Sequence, residues 1–344
     1  MALASAALFG AAVPFAKLLL GAIDPQLLAG LLYLGAGLGL AGVHLGRAAM
    51  RLPAPEAPLR AADTPWLLAV VLFGGVAGPL LLMLGLMRTE ATTGSLLLNV
   101  EGLATMGIAW LVFRENVDRR LLLGAMSILA GAVVLSWEGR GIAIDLGSVL
   151  IVGACLAWGI DNNLTRKLSS ADPVRIAMIK GIVAGAVNSG LALLNNASLP
   201  PAGTVGVSAF VGFLGVGVSL VLFVLALRHL GTARTGAYFS FAPFIGAMVA
   251  IFLLHEPLTL KLLFAGLLMG FGLWMHLTER HDHAHEHEAM EHEHSHEHDD
   301  HHQHTHDGPV IESHSRPHSH WHRHAPLRHA HPHYPDLHHR HRHG

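Results

Sequence analysis

The chain has a single cysteine, Cys155, and few charges: only 13% of its 344 residues are Asp, Glu, Lys or Arg. An ordinary soluble domain carries about 25% charged residues. One cysteine excludes a secreted domain held together by disulfides. A net charge of −2 at pH 7 excludes a basic nucleic-acid binder. The 52% apolar content exceeds what one soluble core encloses, which leaves a membrane protein with several spans.

The charges that are present divide the chain into an apolar body and a polar tail. Residues 1–280 hold 17 Lys/Arg and 13 Asp/Glu, whereas residues 281–344 hold 5 and 11, together with 24 of the 28 histidines. A membrane-spanning helix needs about 20 apolar residues. Ten such runs are separated by charged or Pro/Gly-rich breaks: 2–22, 26–46, 65–87, 91–113, 120–137, 146–165, 174–194, 204–227, 235–254 and 261–277.

Positive charge alternates between the loops that join these runs. The loops after runs 2, 4, 6 and 8 hold 11 Lys/Arg, and the alternate loops hold 3. Loops rich in Lys and Arg stay on the cytoplasmic side. We therefore expect both termini in the cytoplasm, with the body in a bacterial cytoplasmic membrane.

The two halves of the body share a collinear series of residues, which indicates an internal repeat. Each half has five runs, and because five is odd the second copy inserts upside down relative to the first, as in secondary transporters. The sequence thus predicts an all-α polytopic fold of ten transmembrane helices in two inverted five-helix repeats, residues 1–138 and 146–278. The alternative is a chance similarity between apolar helices. The matched residues are Phe9-Gly10 with Trp158-Gly159, Asp24-Pro25 with Asp172-Pro173, Phe73, Val76 and Arg88 with Phe213, Val216 and Arg228, and Ala91, Thr93 and Gly94 with Ala233, Thr235 and Gly236.

Short motifs in the body are shared with a known family. They are Phe9-Gly10, Pro14-Phe15-Ala16-Lys17, Trp158-Gly159, Arg166-Lys167, Gly231-Thr232-Ala233-Arg234-Thr235-Gly236, Ala242-Pro243-Phe244 and His255-Glu256-Pro257-Leu258-Thr259. Over residues 1–278 the chain resembles two copies of the EamA domain of the drug/metabolite transporter superfamily. The resemblance implies export or exchange of small solutes through a cavity lined by helices 1–4 and 6–9. One departure is that helix 4 carries Glu101 where helix 9 carries Pro243.

Four ionisable residues lie inside the apolar runs: Lys17, Glu101, Asp161 and Lys180. Because a charge in hydrocarbon costs on the order of 3 kcal/mol, each should face a cavity or a partner. Glu101 could bind a cation or take up a proton during transport, or form a structural pair with Lys17 or Lys180. Lys17 lies near the end of its run and is expected to reach the membrane surface. Lys180 is expected to face the cavity.

Amide side chains extend this polar set. The run Asp161-Asn162-Asn163 favours a broken helix at membrane depth, because such side chains compete for backbone hydrogen bonds; a position near the membrane surface is the alternative. Asn188, two turns beyond Lys180, could continue a polar lining. The predicted solute and coupling pathway comprises Lys17, Asn99, Glu101, Asp161, Asn162, Asn163, Lys180 and Asn188.

The tail, residues 281–344, reads as repeated His-x-His with almost no apolar content, which predicts disorder. Neutral imidazole binds zinc, nickel, cobalt and copper, so the tail is expected to bind divalent metal. Cytoplasmic metal buffering, a charge that responds to pH and functionless low complexity are alternative roles. The predicted metal ligands are His281, His283, His285, His287, His292, His294, His296, His298, His301, His302, His304 and His306.

Three functions follow from these features. The first is a secondary transporter that exports a small polar solute, with Glu101 or Asp161 coupling transport to protons. The second is a nickel, cobalt or zinc exporter whose tail collects the metal. The third is a membrane-anchored metal sensor that transports nothing, although an anchor needs only one span. No constellation for bond-making chemistry is visible, no cofactor is expected to be required, and the expected partners are the lipid bilayer and the cargo, with a homodimer left open.

Overall fold

The structure is a computed structural model that describes residues 1–50, 59, 61–113, 119–137, 145–165, 168, 172–226 and 238–278, and the backbone of four tail segments. The described body consists of ten helical segments. In chain order they are α1 (Ala2–Leu19), α2 (Pro25–Ala49), α3 (Ala61–Leu86), α4 (Ala91–Leu97 and Val100–Phe113), α5 (Arg119–Ser136), α6 (Leu146–Thr165), α7 (Pro173–Leu194), α8 (Ala202–Ala226), α9 (Ala242–Leu254) and α10 (Leu260–Leu277).

These helices are those of a membrane protein. Eight are long and apolar enough to cross a bilayer. The other two are α6, whose hydropathy is lowered by the run Asp161-Asn162-Asn163, and α9, whose described part has 13 residues. Large apolar side chains such as Leu111 and Phe252 are more than 70% exposed, as expected where a helix faces lipid. The all-α fold class and the ten-helix, two-repeat plan are confirmed.

The same capping device begins the second helix of each half. Asp24 Oδ1 accepts hydrogen bonds from the backbone N–H groups of Gln26 and Leu27, at 2.9 and 3.1 Å. Asp172 Oδ1 accepts one from Val174 N at 2.9 Å. A proline follows each aspartate at the first helical position, where its missing N–H has no cost. The two Asp-Pro pairs matched in the sequence are therefore equivalent in structure.

Helix packing follows the symmetry of the repeat. α2 packs on α7 and α5 on α10, so each of these helices faces its own counterpart. α1 packs on α9 and α6 on α4, so the first helix of each half contacts the fourth helix of the other. These crossings are close: a Cβ at Gly10 would overlap the Ala242 backbone of α9, and one at Gly159 would lie 2.8 Å from the Ala104 Cβ of α4.

The central crossing is between α2 and α7. A Cβ on Gly181 would lie 2.6 Å from the Gly37 backbone nitrogen, so glycine is what allows the two helices to approach so closely. This contact places Tyr33 of α2 and Lys180 of α7 in the interior of the bundle, where both are less than 10% exposed.

Helical irregularities lie in α3, α4 and α8. α3 contains a π-helical segment, Val71–Ala77, and α8 contains one at the corresponding position, Phe213–Val218. α4 is interrupted at Leu98 and Asn99. α6 runs unbroken from Leu146 to Thr165. The expected break at the Asp161-Asn162-Asn163 run is therefore wrong, because those side chains bond to neighbouring helices.

The tail is described only as backbone. Asp282–His287 pairs antiparallel with Leu327–Pro332, and Met290–His296 pairs antiparallel with His318–His324. A two-stranded ribbon is marginally stable in water, so the expected disorder of the tail stays a prediction. The side chains of the twelve predicted metal ligands lie outside the described residues, and metal binding by the tail also stays a prediction.

Candidate functional site

A buried ion pair joins α6 and α7. Lys180 Nζ donates to Asp161 Oδ2 at 2.5 Å, and the two side chains are 11% and 7% exposed. At 1.5 Å per residue, Asp161 lies about 6 Å from the C-terminal end of α6, and Lys180 lies about 10 Å from the N-terminal end of α7. In a hydrocarbon core about 30 Å thick, the pair therefore lies closer to the membrane face at which α6 ends and α7 begins. Thr165 Oγ1 donates to the other carboxylate oxygen of Asp161 at 3.2 Å.

The π-helical segment of α3 lies directly against this ion pair. A Cβ at Gly74 would overlap the Asp161 carboxylate and lie 2.5 Å from Lys180 Nζ. A Cβ at the next residue, Gly75, would lie 2.5 Å from the Ala184 Cβ of α7. The two glycines therefore let the α3 backbone approach the charged pair.

The same segment offers its carbonyl oxygens to three neighbouring helices. A π turn shifts the hydrogen-bond ladder by one residue and frees backbone groups for other partners. The Gly74 carbonyl accepts from Tyr33 OH at 2.7 Å and from Trp158 Nε1 at 3.1 Å. Asn188 Nδ2 donates to the Gly75 carbonyl at 3.3 Å. Asn188 is fully buried, and its Oδ1 atom has no partner among the described residues, so the interior beside α3 remains polar.

A second polar network connects α4 to α6. Asn162 Nδ2 donates to Glu101 Oε1 at 2.9 Å and lies 3.2 Å from Thr105 Oγ1. Asn163 Nδ2 donates to the carbonyls of Thr105 and Gly159, at 3.0 and 2.8 Å. Glu101 is partly buried and Asn162 is exposed, whereas Asp161 is buried.

An aromatic contact connects the two halves beside these networks. The rings of Phe9 and Trp158, which occupy matched positions of the repeat, meet edge to face with centroids 6.3 Å apart. Phe9 also contacts Phe239, at 5.5 Å. We call the residues of the ion pair, the α3 segment, the α4–α6 network and their hydrogen-bond donors the central polar cluster: Tyr33, Gly74, Glu101, Thr105, Trp158, Asp161, Asn162, Asn163, Lys180 and Asn188.

Six of the eight predicted pathway residues belong to this cluster, and two lie elsewhere. Lys17 Nζ donates to the carbonyls of Leu86 and Thr89 at the end of α3, and Asn99 Nδ2 donates to Leu96 O at 2.8 Å. A pair between Glu101 and either lysine does not form, because Lys180 pairs with Asp161 and Lys17 binds carbonyls. Whether any of these residues acts in transport stays a prediction.

Sequence reasoning missed four members of the cluster: Tyr33, Gly74, Thr105 and Trp158. Trp158 had a signal, since it is matched with Phe9 in the repeat, but nothing indicated its partner. Thr105 had a weaker signal, since it lies four residues beyond Glu101 and therefore on the same face of α4. Tyr33 and Gly74 gave no signal, because their roles depend on a π turn inside a uniformly apolar helix.

Metal ligands do not gather in the described part of the body. Among the residues the structure describes there, no three His, Cys, Asp or Glu side chains come close enough together to hold a metal ion. Cys155 is buried in the core. The central polar cluster instead offers carboxylates, amides, an ammonium group and backbone carbonyls, which are groups suited to a polar organic solute or a proton.

Comparison with known proteins places the fold and the cluster in context. Residues 1–137 and 145–278 each match the model of the EamA-like transporter family. An uncharacterized transporter of Methanothermobacter thermautotrophicus is 31% identical over 281 residues, covering 76% of this chain and 80% of that protein. A WAT1-related protein of Arabidopsis thaliana is 24% identical, covering 56% and 60%, and the uncharacterized transporter YyaM of Bacillus subtilis is 21% identical, covering 52% and 61%. One solved crystal structure superimposes with a TM-score of 0.61 at 17% identity, covering 80% of this chain and 97% of that one, which supports the fold.

Proposed function

Because the chain belongs to the EamA-like transporter family, we propose that it exports or exchanges a small polar solute by alternating access, and that the central polar cluster binds this solute. The observation that carries the proposal is the ion pair of Asp161 and Lys180, which is buried between the helices of a multi-pass membrane transporter beside an irregular helix. Transporters of this architecture bind solute near the midplane, where discontinuous helices expose backbone groups. We propose no enzymatic step.

The charges of the cluster favour a solute that itself carries charge. Removing one partner from a buried ion pair costs about 3–5 kcal/mol, because the remaining charge is left uncompensated. A solute that enters between Asp161 and Lys180 must therefore supply charges that replace the broken pair. A solute with both a cationic and an anionic group would meet this requirement, whereas a neutral one would not.

Glu101 is our candidate for proton coupling. Its carboxylate accepts a hydrogen bond from Asn162 and no lysine pairs with it in the described structure, so it can bind a proton or a cationic group of the solute in turn. Such an exchange would couple solute export to proton entry. Asn162 can remain a partner in both states, because an amide both donates and accepts hydrogen bonds.

A transport assay tests this role of Glu101. A growth screen of a deletion strain against metals, amino acids and toxic analogues identifies the cargo, and purified protein in vesicles then measures its flux with and without a pH gradient. We expect Glu101→Gln to abolish the response to the gradient, and Glu90→Gln, an exposed carboxylate at the start of α4, to leave it unchanged. If flux and its pH dependence were the same in Glu101→Gln and wild type, Glu101 would have no part in coupling.

The sequence of the tail supports a second candidate, export of a divalent transition metal. The 24 histidines of residues 281–344 suit zinc, nickel, cobalt or copper and could collect the ion at the membrane. Deletion of residues 281–344 should then lower cellular tolerance of one of these metals. Equal tolerance of all four with and without the whole gene would exclude metal as the cargo.

The orientation in the membrane completes the proposal. The excess of Lys and Arg in alternate loops supports cytoplasmic termini in a bacterial cytoplasmic membrane. Reporter fusions after residues 24 and 198 test both this orientation and the inverted repeat. Both fusions should report the same, non-cytoplasmic side of the membrane.

A further inference from the structure

Three charged side chains from outside the turn between α3 and α4 hold that turn in place. Lys17 of α1 donates to the carbonyls of Leu86 and Thr89, the latter at 2.9 Å. Asp145, immediately before α6, accepts from Thr89 Oγ1 at 2.9 Å. Glu256, between α9 and α10, accepts from the backbone N–H groups that begin α4. We call Lys17, Asp145 and Glu256 the clasp.

Glu256 makes the most complete contact of the three. Its Oε1 and Oε2 atoms accept from Ala91 N and Thr92 N, each at 2.8 Å. The first N–H groups of a helix have no partner within it and carry partial positive charge, so a carboxylate is well matched to them. Lys17 is matched in the same way to the negative carbonyl end of α3. The clasp thus places a carboxylate at the positive start of α4 and an ammonium group at the negative end of α3.

The clasp connects the two halves of the molecule. Lys17 and the α3–α4 turn belong to the first half, whereas Asp145 and Glu256 belong to the second. If the halves move relative to each other during transport, the bonds of Asp145 and Glu256 to the turn are the ones in this region that must change. Lys17 instead joins α1 to α3 within one half.

Directly below the clasp, three helices meet without space for solute. A Cβ on Gly246 of α9 would lie 2.7 Å from Ser95 Oγ of α4 and 2.8 Å from the Gly10 carbonyl oxygen of α1. Ser95 is fully buried, and its hydroxyl has no partner among the described residues. Glu101 lies about 15 Å along α4 from Ala91. The contact at Ser95 therefore stands between the clasp and the central polar cluster.

We infer that the clasp is a gate, closed in this structure, that seals one end of the solute pathway, and that release of Glu256 from the start of α4 opens it. This inference rests on the proposed function, since a gate has meaning only for a pathway through the central polar cluster. Opening would separate α9 and α10 from α4, exposing Ser95 and its unpartnered hydroxyl to water. Glu256 is a positioning residue in this scheme and does not touch the solute.

The test measures access of water to Ser95. The single native cysteine is replaced by Cys155→Ala, Ser95→Cys is introduced, and a membrane-impermeant thiol reagent is applied from each side of sealed vesicles. In this background we expect Glu256→Gln to raise the labelling rate from the clasp side at least about tenfold, because a charged acceptor of two hydrogen bonds is lost. Lys17→Met should raise it in the same direction. Glu90→Gln is the matched control, since Glu90 precedes α4 but makes no side-chain capping bond.

The chain also supplies a reporter for general loosening. With the native Cys155 retained and Ser95 unchanged, labelling reports on a thiol buried in the α6 core. The gate is supported if Glu256→Gln accelerates labelling at position 95 and leaves Cys155 unlabelled. It is overturned if Glu256→Gln does not accelerate labelling at position 95, whatever the effect of Lys17→Met, or if both cysteines become reactive together. Because no solute is added, these outcomes are independent of whether the proposed cargo is correct.

Discussion

Neutralising one partner of the buried ion pair should destabilise the protein more than neutralising both. Lys180 Nζ lies 2.5 Å from Asp161 Oδ2, and little of either side chain is exposed. Lys180→Met leaves the carboxylate without its cation, which costs about 3–5 kcal/mol for a buried pair. Asp161→Asn leaves the ammonium group uncompensated at a similar cost. The double variant removes both charges, so its loss should be smaller than either single loss.

Thermal unfolding in detergent measures these losses. At about 2 °C per kcal/mol for a chain of this size, each single variant should lower the melting temperature by at least about 6 °C, and the double variant by less. Arg88→Met is a matched control, because Arg88 is an exposed cation with one weak hydrogen bond, to Leu84 O at 3.4 Å, and its loss should stay within about 0.5 kcal/mol. Additive losses in the double variant would refute the assigned pairing.

Two further predictions concern the surroundings of this pair, and a third concerns Asp145, immediately before α6. Gly74→Ala should destabilise the protein by about 1–3 kcal/mol, because the new Cβ has no room beside Asp161. Gly102→Ala is the control and should not destabilise the protein, because its Cβ would meet nothing within 4 Å. Thermal unfolding of the two variants compares these effects. Tyr33→Phe removes one of two donors to the Gly74 carbonyl and should cost about 1 kcal/mol in the same assay. Burial opposes ionisation of Asp145, but hydrogen bonds from Ser148 and Thr89 outweigh it and lower the pKa of this carboxyl. The stabilisation that the ionised Asp145 carboxylate contributes is therefore fully present above the unfolded pKa of about 3.9, and it is lost as pH falls through the lower folded pKa. The difference in melting temperature between wild type and Asp145→Asn should accordingly be constant from pH 7 to about 5 and should shrink below about pH 4.

The sequence predicted the helices because lipid imposes a simple rule on composition and length. The ten apolar runs correspond to the ten helical segments, and the matched Asp24-Pro25 and Asp172-Pro173 pairs are equivalent helix caps. The charged residues were also recognised as unusual, since hydrocarbon tolerates charge only in a cavity or with a partner. These predictions need only local information.

The partners of those charges could not be predicted. Asp161 and Lys180 lie on successive helices, but their contact depends on the crossing of α6 and α7 and on the close approach of Gly74. The π turns of α3 and α8 were invisible, because a helix that is apolar on every side has no periodicity to reveal a change in its turn. Glu256 was recognised only as part of the motif His255-Glu256-Pro257-Leu258-Thr259, although its carboxylate binds the start of α4 in the other half.

The two π turns also separate what the two halves share from what belongs to one half alone. Both copies of the five-helix unit carry a π turn at the equivalent place, so the irregular third helix is a property of the repeated unit. Glu101 has no such counterpart, because Pro243 occupies the matched position in the second copy. The two halves are therefore alike in backbone shape and differ in the charge that they place beside it.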